Sequence, residues 1–151
     1  MAITLFVYGT LKRGYPNHLR LTQAGCRFLS SARTTEPFSL WAAHVPYMVR
    51  ELCAEVPVQG ELYAVEEDQL PYLDSFEGHP TRYRRETITV QDEAGRQLQA
   101  EAYVFIAKLP PGVTRIDDGC FPLPLPGQFV QQAPSCQRRL FTSLANRRDE
   151  L

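Results

Sequence analysis

Two short stretches of this chain carry residue types and spacings suited to chemistry. The first is Val7-Tyr8-Gly9-Thr10-Leu11-Lys12-Arg13-Gly14, where an apolar run delivers the backbone to a glycine. Past such a glycine the backbone N–H groups lose their sheet partners and can converge on one carboxylate or one developing oxyanion. A strand that simply turns at Gly9 explains the same residues without a ligand. The second stretch is Leu73-Asp74-Ser75-Phe76-Glu77-Gly78-His79-Pro80-Thr81-Arg82-Tyr83-Arg84-Arg85. Here Glu77 falls at the expected end of a helix, where the dipole's negative pole disfavours an anion. Leu73 and Phe76 add an apolar wall. Both effects push a carboxyl pKa upward, as a general base working near neutrality requires. Gly78 and Pro80 force a turn, so Glu77 projects at a loop edge.

The elements that must position these residues can be read from the patterning. Residues 3–8 are apolar and β-branched and close at Gly9, the mark of a buried strand. Residues 17–24 form a short helix stopped by Gly25. Residues 27–40 are strand-like but interrupted near Pro37, and strands follow at 46–49 and 56–65, the second with Gly60 as a candidate bulge. Glu66, Glu67 and Asp68 open a helix that carries Leu70, Leu73 and Phe76 on one face and ends at Gly78. Residues 83–91 and 97–107 alternate around a hairpin loop containing Gly95. Five prolines between 110 and 126 then predict an irregular arm, with a terminal basic helix over 131–148. The resulting order, β–α–β–β–β–α–β–β, predicts an α+β domain with a curved or closed sheet.

Composition narrows the function classes. The 151 residues are 44% hydrophobic and 22% charged, with a net charge of -1, so no global basic field exists to hold nucleic acid by counterion release. The apolar run at residues 3–8 is too short for a membrane span or a signal-peptide core, which makes the cytoplasm the expected compartment. Cysteines at 26, 53, 120 and 136 and histidines at 18, 44 and 79 share no metal-ligand spacing; free buried thiols are expected. Charge is uneven along the chain. Residues 1–35 hold five cations and no acid, while residues 36–79 hold nine acids and Arg50 alone. Folding would mix these on the surface; the sharper reading is a weakly cationic mouth near the N-terminal segment. Lys12 and Arg13, as exposed loop cations, could draw in a carboxylate there.

Tyr8-Gly9-Thr10-Leu11, followed some 60 residues later by Leu73-Asp74-x-Phe76-Glu77-Gly78-x-Pro80-x-x-Tyr83-x-Arg85, resembles the γ-glutamylcyclotransferase-like superfamily, and within it the γ-glutamylaminecyclotransferase branch. The resemblance covers roughly residues 3–107. It implies an α+β fold, a small mixed or antiparallel β-barrel flanked by helices. The domain is expected to span residues 1–108, with a Pro-rich extension at 109–151, which matches no motif, packed on it. The resemblance also implies release of 5-oxoproline and a free amine from a small-molecule γ-glutamyl substrate, with no cofactor and no metal. By the same resemblance Glu77 is the catalytic acid/base, Tyr8, Gly9, Thr10 and Leu11 bind the glutamyl group, and Tyr83 lines the pocket. Tyr83 is equally readable as a strand aromatic facing the core.

The chemistry of such a substrate is consistent with these residues. The α-amine and γ-carbonyl of a γ-glutamyl amide belong to one molecule and close a five-membered ring, so intramolecularity supplies the effective molarity that a nucleophile or metal would otherwise supply. One carboxyl can serve both proton transfers. Whether the loop N–H groups hold the α-carboxylate or the oxyanion stays open at this level, as does the leaving amine. The competing reading is a non-catalytic module that binds a small carboxylate metabolite in the same barrel-mouth pocket. Oligomeric state is not addressed by any of these residues, and neither a nucleic-acid nor a membrane partner is expected.

Overall fold

The computed structural model describes residues 1–43 and 45–121; the expected terminal helix at 131–148 lies outside them. Eleven elements follow one another: β1 (Ala2–Val7), α1 (His18–Gln23), β2 (Arg27–Thr34), β3 (Phe38–Ala42), β4 (Pro46–Arg50), β5 (Gln59–Glu66), a 3₁₀ turn (Glu67–Gln69), α2 (Leu70–Glu77), β6 (Tyr83–Asp92), β7 (Gln97–Phe105) and β8 (Thr114–Arg115). Five strands close a barrel in the order β1-β5-β2-β6-β7, and β4-β3-β8 form a second, three-stranded sheet. All barrel pairs are antiparallel except the closing one, where Leu5 of β1 meets Glu101 of β7 in parallel. The fold is therefore the expected mixed barrel.

Residues 3–8 are apolar without alternation because both faces of β1 are covered. Phe6 and Tyr8 join Leu62, Ile88, Val90, Ala102 and Val104 in one buried cluster that also takes in Phe38, Leu40 and Met48 of the second sheet. Leu5 and Val7 face the other way, into a cluster with Leu21 of α1, Leu73 of α2 and the ring of Tyr103. Burial of this order, at about 25 cal/mol per Å² of apolar surface, is the main force holding the helices on the barrel.

Three expectations need correction. The bulge falls in β2, between Phe28 and Ser30, whereas Gly60 pairs in register with Ala32. Gly60 is required instead by close approach, since a Cβ there would lie 2.3 Å from the carbonyl oxygen of Val7 and 2.7 Å from the Phe6 ring. The stretch after 108 is not wholly irregular, because β8 pairs with β3. The thiols are not uniformly free and buried: Cys26 is free and half-buried, Cys53 is free and exposed, and Cys120 is disulfide-bonded. Among the described residues, no helix is long and apolar enough to cross a membrane.

Candidate active site

The barrel end where β1 leaves and β6 enters carries a cavity of about 250 Å³. Glu77 reaches it from the last turn of α2. Gly78 ends that helix in the left-handed region, at φ 72° and ψ 33°, a conformation open to glycine at little cost. Its N–H donates to the carbonyl of Ser75 and the N–H of His79 to that of Asp74. These are the two bonds of a Schellman motif, which satisfy the last carbonyls and turn the chain sharply. The cis His79–Pro80 bond follows, and Tyr83 then opens β6.

The second wall is the loop after β1. The N–H of Lys12 donates to the Gly9 carbonyl at 3.0 Å, and Asn17 clamps Thr10 twice, through its N–H to the carbonyl at 2.9 Å and through Nδ2 to Oγ1 at 3.0 Å. His18 Nδ1 lies 2.9 Å from the Leu11 carbonyl oxygen. The carbonyls of residues 9–11 are thus occupied. The N–H groups of Gly9, Thr10 and Leu11, by contrast, donate to no acceptor among the described residues. A row of undonated amides on a cavity wall is rare for buried backbone and is suited to an anion. Gly9 does not owe its place to a positive φ. A Cβ at residue 9 would stand 2.1 Å from Cγ of Pro46, so the glycine lets the first residue of β4 form the adjoining wall.

All six residues singled out above (Tyr8, Gly9, Thr10, Leu11, Glu77 and Tyr83) line this one cavity. The carboxyl of Glu77 makes no hydrogen bond or ion pair among the described residues. Burial pushes its pKa up from 4.5 to about 7, against a downward pull from the charge of Arg82. Burial in the cavity wall, not the helix end, is therefore the leading cause of the shift. Tyr83 fits both readings offered for it. Its ring stacks on Tyr47 and meets Phe105 edge-on beneath the cavity, and its hydroxyl donates to the carbonyl of Pro46 at 2.6 Å. Its hydroxyl proton is therefore committed to the wall. Tyr8 is held likewise, donating to the carbonyl of Tyr103 at 2.6 Å.

The basic pair of the first motif sits elsewhere. Lys12 is 1% exposed, its ammonium 4.7 Å over the Tyr15 ring and 3.9 Å from Cys120 Sγ. Arg13 donates through its backbone N–H and Nε to the buried carboxylate of Glu61. The expectation of exposed loop cations drawing in a carboxylate fails for Lys12, because the loop folds it against the segment ending at Phe121. The cation that does line the cavity is Arg82, a residue inside the second motif whose type and spacing point to no role. Tyr103 lies outside both motifs. Its hydroxyl donates to Asp74 Oδ1 at 2.7 Å, and Arg85 joins the same carboxylate to Glu101. Only the pairing of Arg85 with Tyr103 across β6 and β7 brings these residues together, a long-range fact with no local signature.

Fold and site together define a small closed barrel with a carboxyl-bearing cavity at its end. The chain belongs to the gamma-glutamyl cyclotransferase, AIG2-like family, whose model matches residues 5–122. It is 41% identical over 93 residues to the human gamma-glutamylaminecyclotransferase, covering 58% of this chain and 61% of that protein. It is 34% identical over 110 residues to gamma-glutamylaminecyclotransferase C of Danio rerio, covering 66% of this chain and 72% of the other. Among solved structures, an AIG2-like protein from Mus musculus superposes with a TM-score of 0.68 at 32% identity, over 77% of this chain and 86% of that one.

Proposed function

We propose that this protein releases 5-oxoproline and a free amine from a γ-glutamyl amide, with Glu77 as the acid/base. The observation that carries the reading is the juxtaposition, around one cavity, of the half-buried Glu77 carboxyl and a loop, residues 9–11, whose N–H groups donate to no acceptor among the described residues. Glu77 accepts a proton from the α-ammonium, and the freed nitrogen attacks the γ-carbonyl carbon, forming the ring C–N bond. The α-nitrogen gives up two protons in all. One passes to solvent, and the other is carried by Glu77 to the departing nitrogen as its bond to the carbonyl carbon breaks. The released amine recovers the first proton from water at neutral pH. A carboxyl titrating at about 7 is populated in both protonation states where the reaction must run. The loop amides would hold the glutamyl carboxylate or the oxyanion; either use explains why their carbonyls are tied back and their N–H groups are not. Tyr8 and Tyr83 act as walls, with both hydroxyls engaged in the frame.

The test is Glu77→Gln, which keeps the shape and removes the proton carrier. Single-turnover formation of 5-oxoproline from a panel of γ-glutamyl amides should fall by ~10²–10⁴, while calorimetric affinity for the same compounds changes little. A mutant retaining more than about a tenth of the rate removes Glu77 from the role. Tight binding without turnover by the unmutated protein, across the whole panel, would instead favour a non-catalytic binding module.

A further inference from the structure

Glu77 enters the cavity from α2, whereas the loop after β1 belongs to the barrel, so the distance between the carboxyl and residues 9–11 depends on what fastens the helix to the sheet. The apolar contacts of Leu70 and Leu73 hold the buried face of α2. Such contacts are non-directional and do not by themselves fix the azimuth of the last turn. The directional bonds come from Arg85. It grips the carboxylate of Asp74, three residues before Glu77, as a fork, with Nε on Oδ1 at 2.9 Å and Nη2 on Oδ2 at 3.3 Å. Its remaining arm, Nη1, donates to Glu101 of β7 at 2.9 Å, and Glu101 also accepts from Thr87. The chain beyond Glu77 is tied to the same residue. The backbone N–H of Arg85 donates to Nδ1 of His79 at 3.0 Å, and the His79 N–H returns to the Asp74 carbonyl at 2.9 Å. Residues on both sides of Glu77 are thus held by one arginine of the barrel.

Tyr103 carries this grip across the cavity. Its hydroxyl donates to Asp74 Oδ1 at 2.7 Å, and its own carbonyl accepts the Tyr8 hydroxyl at 2.6 Å. Tyr8 immediately precedes the loop, and both tyrosines line the cavity. The path Tyr8–Tyr103–Asp74 therefore joins the base of the loop to the helix that carries Glu77. Arg85 pairs with Tyr103, and Thr87 with Glu101, across β6 and β7, which puts all four side chains on one face of that hairpin. Burial pushes the Asp74 carboxyl up, but the hydrogen bonds from Arg85 and Tyr103 outweigh it and hold the group below its ordinary value. The acceptor stays charged, and the bond from Tyr103 is of the stronger, charge-assisted kind.

Resting on the cyclotransferase reading, we propose that Tyr103 and Asp74, clamped by Arg85, are positioning residues that set the distance between the Glu77 carboxyl and the loop, and through it the rate of proton transfer. A displacement of about 1 Å at a reacting group costs on the order of a hundredfold in rate, whereas affinity supplied by the loop is untouched. Tyr103→Phe removes one oxygen and leaves the ring in the cavity wall, and Asp74 keeps its fork to Arg85. On whichever compound of the γ-glutamyl amide panel is turned over fastest, kcat should fall about tenfold while KM stays within about threefold. Asp74→Asn sets an amide nitrogen against the guanidinium and breaks the fork, so kcat should fall further, by ~30-fold. The double substitution should match Asp74→Asn within about twofold, because both break one path; independent effects would multiply to about 300-fold.

Three results overturn the proposal. If Tyr103→Phe lowers the melting temperature but keeps kcat, the bond to Asp74 supports the fold alone. If it raises KM and leaves kcat intact, the hydroxyl serves substrate binding and not the placement of Glu77. If the two substitutions multiply, they do not share a path. Should Asp74→Asn fail to fold, Arg85→Lys takes its place in the double-mutant comparison, since it keeps the charge and loses the fork. Failure of the cyclotransferase reading itself has a different signature, namely no 5-oxoproline from any compound with the unmutated protein, and it removes this proposal too.

Discussion

At the scale of single residues, Glu77 links a functional advantage to a cost in stability. A carboxyl whose pKa rises from 4.5 in the unfolded chain to about 7 in the folded one binds more protons when folded between those values. Stability attributable to the group is therefore fully present below pH 4.5 and is lost as pH rises through 7. The loss above pH 7 is up to roughly 3 kcal/mol, and less for a carboxyl that water can reach. Glu77→Gln carries no such penalty. Its melting temperature should exceed that of the unmutated protein by several degrees at pH 8 and match it at pH 4, even as turnover disappears. Equal melting temperatures at both pH values would mean that the Glu77 carboxyl is ordinarily solvated. The same titration predicts that kcat/KM of the unmutated protein rises with pH through an apparent pKa near 7, well above that of a free glutamate.

At the scale of elements, the site depends on how closely the loop after β1 approaches the first residue of β4. Gly9→Ala would place a methyl 2.1 Å from Pro46 Cγ, and that ring cannot swing freely, because the Pro46 carbonyl accepts the Tyr83 hydroxyl at the head of β4. The expected cost is about 1–3 kcal/mol, read by chemical denaturation. A second substitution, Pro46→Ala, removes Cγ and Cδ and leaves Cβ at 3.3 Å as the nearest ring atom, so the double mutant should recover most of the loss. A double mutant no more stable than Gly9→Ala would show that the clash is not the cause. This junction also marks the limit of what residue patterns disclose. A turn at Gly9 is legible from a buried run meeting glycine, and the end of α2 is legible from Gly78. The reason for Gly9 is not, because Pro46 is far away in the chain and reaches it only through the second sheet. The bulge escapes a sequence reading for a related reason: Gly60 is small because Val7 and Phe6 crowd it from β1, while the irregularity in β2 arises from register between two strands distant in sequence.

At the scale of the whole molecule, folding redistributes the uneven charge of the chain. The amine of Met1 meets Glu66 and Arg13 meets Glu61, so the basic first segment is partly neutralised by the acidic second. Lys12 is the exception, and its burial could not be read from a motif of polar loop residues, since the groups around it come from residues 15, 61, 118 and 120. It lies where the last described segment laces the loop after β1 to the rest of the fold: Tyr15 donates to the Phe121 carbonyl, Gln59 to that of Gly119, and Ile116 to that of Leu40 in the second sheet. Burial lowers the Lys12 pKa from 10.5 to about 8, against upward pulls from Glu61 and Asp118. For a base the sign is opposite to that for Glu77. The unfolded chain binds more protons between pH 8 and 10.5, so the penalty for burying the ammonium is present at pH 7 and fades as pH rises through that window. Lys12→Met replaces it with an apolar chain of similar length. Glu61 keeps Arg13 and Tyr63, and Asp118 keeps the N–H of Cys120, so neither acid is orphaned. The variant should therefore be more stable than the unmutated protein at pH 7, as replacement of buried charge by well-packed apolar groups often is. That advantage should shrink toward zero by about pH 10. Other groups titrating in the window are common to both proteins and drop out of the difference. An advantage that stays constant from about pH 7 to 10 would show that folding does not shift the titration of Lys12, and a variant less stable throughout would show that the ammonium is held favourably and that the loop depends on its charge.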